Sequence, residues 1–288
     1  MTEHAIVVIG LPESGKTTFL AALWHLIIER DIDSALSFEC FGIGDRTHLN
    51  HIASRWREAR AQDHTALTGN RIVSMDLKNR DGKPVRLIFP DFAGEAYQDM
   101  WEKRECDPDI ASYLHSTAVL LFIHADTVRA PKWIVDINAL AEELGLPLPK
   151  NNVPVQWHAR LAPTQVPLVD LLQMLQSSPL DVGRRRLAVI FSAWDKVEAE
   201  GLSPHEFLQS RLPLLAQYLT AGADSWTWRV YGLSAQGGDY DRAEPDARPS
   251  AQAKELRDLE RASERIKLSG EHVRNSHDLT EPLAWLME

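Results

Sequence analysis

The octapeptide GLPESGKT at residues 10–17 follows the apolar run AIVVI (5–9) and opens a helical stretch from Thr17 to about Arg30. It restricts the fold more than any other feature of the chain. Its spacing is G-x-x-x-x-G-K-[S/T], in which backbone N–H groups of a loop wrap phosphate oxygens and the glycines permit close approach. A short, continuous apolar run before it suits a strand covered on both faces. The helix after it is apolar almost all round, as in a helix packed inside a domain, and its N-terminus favours anions. Gly10, Glu13, Ser14, Gly15, Lys16, Thr17 and Thr18 are therefore expected to hold nucleotide phosphates. Lys16 is placed to reach the β- and γ-phosphates and to act on charge there, and Thr17 to offer a hydroxyl to Mg2+.

Strand and helix patterns alternate along the remainder. A second helical stretch covers roughly 46–62, and RIVSMDL (71–77) and VRLIF (85–89) flank an Asp81-Gly82 turn as a hairpin. Helical material at 95–115 precedes a strand AVLLFIHA (118–125). An insertion at 127–186 carries the amphipathic helix TQVPLVDLLQMLQ (164–176), and the strand LAVIFS (187–192) follows. A helix near 204–220 and a strand WTWRVYGLSA (226–235) come next. The stretch 238–275 reads as a polar, mobile insertion and 276–288 as a closing helix. The expectation is a single elaborated domain over 1–288: an α/β fold with a mostly parallel sheet, one antiparallel hairpin strand and helices on both faces.

FPDFAGEAY (89–97) supplies the second element of chemistry. Asp91 stands at the tip of the hairpin's return strand, where a carboxylate holds Mg2+ directly or through water. Gly94, in the Asp-x-x-Gly spacing, offers an amide to a γ-phosphate. SAWD (192–195) ends a later strand, and the carboxylate of Asp195 can accept from guanine N1–H and N2–H2, a donor pair that adenine lacks. SAQ (234–236) ends the last strand, where a backbone amide of Ser234 or Ala235 would meet the guanine oxygen. In order and spacing these segments resemble the first, third, fourth and fifth elements of the translation-factor-related (TRAFAC) P-loop GTPases. The layout as a whole is most similar to the double-GTPase families of bacterial conflict systems. It shares with them a helix before the hairpin, the helix TQVPLVDLLQ and a closing LTEPLAWL.

That resemblance implies a Ras-like G domain that binds GTP and GDP with Mg2+ and acts through protein partners, in bacterial defence. Two departures stand out. The fourth element usually reads Asn/Thr-Lys-x-Asp, but here Ala193 replaces the lysine whose stem covers one face of the base. Trp194 or Lys196 is a candidate substitute. The residue after Gly94 is Glu95, where many switch proteins carry a water-orienting Gln; an ionised Glu accepts hydrogen bonds only and repels phosphate. The expectation is slow hydrolysis with an external arginine, unless Glu95 serves as a base. For the switch threonine, which would close over Mg2+ and the γ-phosphate, Thr65 is preferred to Thr68; Thr47 reads as a helix cap. Two other readings stay open: a nucleotide-binding interaction module that does not hydrolyse, and a P-loop ATPase.

Composition excludes several classes. A formal charge of −10 argues against direct nucleic-acid binding. Two cysteines fit a reducing cytoplasm rather than a disulfide framework. FLAALWHLII (19–28) is too short for membrane insertion. His48 and His51, with Cys40 and His64 nearby, lack the paired spacing of a zinc site. The basic cluster GRRR (183–186) reads as a solvated loop.

Overall fold

The computed structural model describes residues 5–62, 71–91, 100–131, 134–145, 156, 158, 161–241 and 250–288. Strand β1 (Ala5–Gly10) lies at the centre of the sheet. It pairs in parallel with β4 (Pro84–Asp91) on one side and β5 (Ala118–His124) on the other. The parallel core continues through β6 (Arg185–Ser192) and β7 (Trp226–Ser234). Antiparallel strands extend it at both ends: β3 (Arg71–Asn79) and β2 (Leu36–Phe41) beyond β4, and β8 (Lys267–Gly270) and β9 (Val273–Ser276) beyond β7. Among the described residues the sheet thus has nine strands in the order β2-β3-β4-β1-β5-β6-β7-β8-β9.

The central parallel strands β1, β5 and β6 carry unbroken apolar runs because both of their faces are covered. Along β1, Ile6 and Val8 face one core while Val7 and Ile9 face the other, and β5 and β6 alternate in the same way. The first core is closed by α1 (Lys16–Glu29), α2 (Arg46–Arg57), α8 (Ala251–Arg257) and α9 (Glu281–Leu286). The second is closed by α3 (Pro108–Leu114), α5 (Gln165–Met174), α6 (Pro204–Arg211) and α7 (Pro213–Ala221). A further helix, α4, spans Ile134–Glu143. All residues of α1 from Phe19 to Ile27 are buried, since α1 is wedged between the sheet and α2.

Several segments differ from expectation. The helix anticipated over 204–220 is two helices, because Pro213 cannot donate to the preceding turn and starts α7 instead. LSFECF, unassigned in the sequence, is the edge strand β2, and the stretch 238–275 contributes α8, β8 and β9. Within GRRR, Arg185 is 1% exposed rather than solvated. Its guanidinium donates to the Leu114 and Leu180 carbonyls, and burial lowers its pKa to about 10. No helix among the described residues is long and apolar enough to cross a membrane.

Candidate functional site

The tips of β1, β4, β5, β6 and β7 converge where parallel α/β sheets bind ligands, beyond the carboxyl ends of the strands. Between β1 and α1 the chain makes the loop expected from GLPESGKT. Gly15 caps α1 with φ 87° and ψ 8°, and Glu13 also has a positive φ of 58°. Side chains are excluded at two places. A Cβ on Gly10 would lie 2.6 Å from the Phe122 carbonyl oxygen, and one on Gly15 would lie 2.9 Å from Ser192 Cβ.

Lys16 closes this loop from within. Its Nζ donates to the carbonyls of Gly10 (2.8 Å) and Leu11 (2.9 Å) and to Ser14 Oγ (3.2 Å). The ammonium thus spans the concavity that backbone N–H groups would line around phosphate. Thr17 stands one residue further into α1, beside the mouth of a narrow cleft lined by Lys16, His48, Phe89 and Pro90. Asp91, the last residue of β4, follows Pro90 directly. The Thr17 hydroxyl, at this end of α1, is a hard oxygen donor of the kind that suits Mg2+. Gly94, Glu95, Thr65 and Thr68 lie outside the described residues. Thr47 is the second residue of α2, whose cap is Asp45; that carboxylate accepts from the Thr47 and His48 amides.

The fourth element is tied to the phosphate loop. Ser192, 6% exposed at the end of β6, donates through Oγ to the Ser14 carbonyl at 2.8 Å. Ala193 then takes a left-handed conformation (φ 51°, ψ 40°) that turns the chain into the 3-10 turn Trp194–Lys196. Asp195 is half-buried there, and its carboxylate accepts no hydrogen bond from any described residue, so it does not cap the loop that follows. Trp194 does not substitute for the missing lysine: it is 5% exposed and packs edge-on against Phe207 at 5.3 Å. Lys196 is also engaged, since its ammonium pairs with Asp239, an interaction that raises its pKa. The Lys196–Asp239 pair links the fourth element to the loop after the fifth.

In that fifth element Ser234 is 2% exposed and its Oγ accepts from the Gly237 amide at 3.1 Å. The Ala235 carbonyl accepts from Trp56 Nε1 at 2.8 Å. Two side chains here had no functional reading in the sequence. His48, which lacks the paired spacing of a metal ligand, lies in the cleft beside Thr17 because α2 runs alongside α1. Trp56 gave no signal beyond its i, i+4 spacing from Ile52, because its partner is 179 residues away.

Similar solved structures include nucleolar GTP-binding protein 1 from Plasmodium falciparum, 12% identical over 80% of this chain and 77% of that one, with a TM-score of 0.38. The signal recognition particle receptor SRb-GTP/SRX complex from Chaetomium thermophilum is 14% identical over 85% and 95%, with a TM-score of 0.36. The GTP-bound GTPase-like domain of S. cerevisiae Ski7 is 11% identical over 82% of this chain and 43% of that one, with a TM-score of 0.39. A search of curated protein sequences finds no match. The model of the Double-GTPase 1 family matches residues 7–286, from the second half of β1 to the end of α9, and the chain belongs to that family.

Proposed function

We propose that this domain is a Mg2+-dependent GTPase that hydrolyses GTP slowly to GDP and phosphate and serves as a switch towards protein partners. The observation that carries the reading is the phosphate loop closed on Lys16 and tied through Ser192 to the segment bearing Asp195. When nucleotide enters, Lys16 exchanges the Gly10 and Leu11 carbonyls for β- and γ-phosphate oxygens, and the loop amides of residues 13–18 turn to phosphate. Thr17 and Asp91 would hold Mg2+, whose charge offsets that of the phosphates. Thr65 and Gly94 are assigned to the γ-phosphate side, so that loss of that phosphate releases their loops.

In the reaction a water oxygen bonds to the γ-phosphorus as the bridging P–O bond breaks. The bond's electron pair goes to the β-phosphate, and both water protons end on the released H2PO4−. Glu95 as a carboxylate can only accept a hydrogen bond from that water, which is why hydrolysis is slow and a partner's arginine accelerates it. The reading extends to action in the bacterial cytoplasm within a defence system, an assignment that the family resemblance supports. A single-turnover assay with GTP, with and without EDTA, tests the proposal. GTP should disappear over minutes to hours with Mg2+ and persist without it. GTP intact after a day with Mg2+ would instead establish a non-hydrolysing binding module. Lys16→Ala should abolish nucleotide binding, and retained binding overturns the reading.

A further inference from the structure

We propose that Trp56 is a positioning residue for base recognition, aiming the Gln236 amide at the six-position oxygen of guanine. This rests on the guanine reading given above and moves the amide that meets the guanine oxygen from Ser234 or Ala235 to Gln236. The argument starts from the peptide plane. In a trans peptide the C=O and the following N–H point to opposite sides, so fixing one aims the other. The Ala235 carbonyl is fixed by the Trp56 indole N–H at 2.8 Å, in a buried contact. The N–H of the same peptide belongs to Gln236, and it donates to no described residue. Two of the amides that follow it are engaged. The Gly237 amide donates to Ser234 Oγ at 3.1 Å, and the Asp239 amide donates to Gln252 Oε1 at 2.8 Å. An unspent donor, held through the carbonyl of its own peptide, is what a carbonyl oxygen on a ligand requires.

Trp56 itself is clamped. It is 0% exposed, and the Arg265 guanidinium lies 4.7 Å over its ring while donating to the Trp56 carbonyl at 2.7 Å. The His25 ring of α1 packs on it at 5.0 Å. The indole therefore cannot swing away when the fifth element is pulled by a ligand. The same end of α2 is joined to that loop again, because Ala61 N donates to Asp241 O at 2.8 Å and Asp241 N to Ala59 O at 2.9 Å. The residues that lead into the segment bearing Thr65 and the loop that reads the base are thus one hydrogen-bonded unit.

The test measures the affinities of GDP, 6-thio-GDP and ADP for the parent and for Trp56→Phe in the full chain. 6-thio-GDP keeps the N1–H and N2 amine that Asp195 reads but carries a weakly accepting sulfur at the six position. The parent should prefer GDP to 6-thio-GDP. In Trp56→Phe a smaller aromatic ring remains and the indole donor is lost with its pyrrole ring; the lost volume acts on both nucleotides alike, so the donor is read from the difference, with GDP affinity falling about 3- to 10-fold while 6-thio-GDP changes less than about twofold. An equal fall for both nucleotides, no fall for GDP, or a parent that does not distinguish them overturns the inference. If the parent binds ADP as well as GDP, the base reading of the previous subsection fails instead. Gln236→Pro, which deletes the amide hydrogen and leaves Trp56 in place, should reproduce the loss of discrimination and decides the matter if Trp56→Phe does not fold.

Discussion

Replacing Ser192 by Ala isolates the link between the base-reading and phosphate-binding halves of the site. The substitution keeps the Cβ that Gly15 packs against and removes one atom, the Oγ that donates to the Ser14 carbonyl at 2.8 Å. Both residues are buried, at 6% and 2% exposure, so the carbonyl loses its partner where water does not readily replace it. A neutral hydrogen bond contributes a net of about 0.5–1.5 kcal/mol, but leaving a buried acceptor unpaired costs about 1–3 kcal/mol. An expected loss of about 1–2 kcal/mol lowers the melting temperature of a domain this size by about 2–6 °C. The measurement belongs on nucleotide-free protein, because bound ligand stabilises by mass action and would mask the change. Titration calorimetry on the same variant should show GTP and GDP weakened alike, each by about 3- to 10-fold, since the loosened loop cradles the phosphates that both share. Unchanged melting would refute the claim that the tie holds the loop. A loss confined to GTP would place Ser192 on the γ-phosphate side and refute the geometry.

Other variants test separate parts of the account. In Gly232→Ala the new Cβ would lie 2.4 Å from the Trp194 ring, so overpacking should cost about 1–3 kcal/mol in denaturant unfolding. Because Trp194 adjoins Asp195, binding of GTP should weaken as well. His25, 7% exposed against Trp56, has its pKa lowered by burial, which outweighs the nearby Asp31. Above its unfolded value of 6.5 this costs nothing; as pH falls below 6.5 the unfolded chain gains a proton that the fold resists, and stability declines. His25→Leu should flatten that decline in melting curves from pH 7 to 5, and an unaltered slope would assign it to another group. Glu95→Gln should hydrolyse GTP at least as fast as the parent in single turnover; a collapse would make Glu95 the base.

The parts of the fold and site that were legible in the sequence are those fixed by local pattern. β1, β5 and β6 show as unbroken apolar runs because they are buried on both faces, and the phosphate loop shows because its spacing lies within eight residues. β2, β8 and β9 lie at or near the sheet's two edges, where one side of the strand faces water. Polar residues such as Glu39, Lys267 and Arg274 therefore interrupt the signal. The break at Leu212–Pro213 was visible as a proline but was absorbed into a longer helical pattern.

In the site the failures share one cause, which is dependence on distant partners. Trp194 looked available to cover a base because its burial depends on Phe207 and Gly232. Arg185 looked solvated because the carbonyl of Leu114, its farther acceptor, lies 71 residues away. The bond from Trp56 to Ala235 and the place of His48 in the cleft both depend on the packing of α2 along α1.

The central claim is that Asp195 reads guanine at a phosphate site built on Lys16. Competition binding of GTP and XTP to Asp195→Asn tests it most directly. Xanthine carries an oxygen where guanine has its amine, so an amide at 195 should reverse the parent's preference and select XTP. A variant that still chooses GTP over XTP as the parent does would contradict the account.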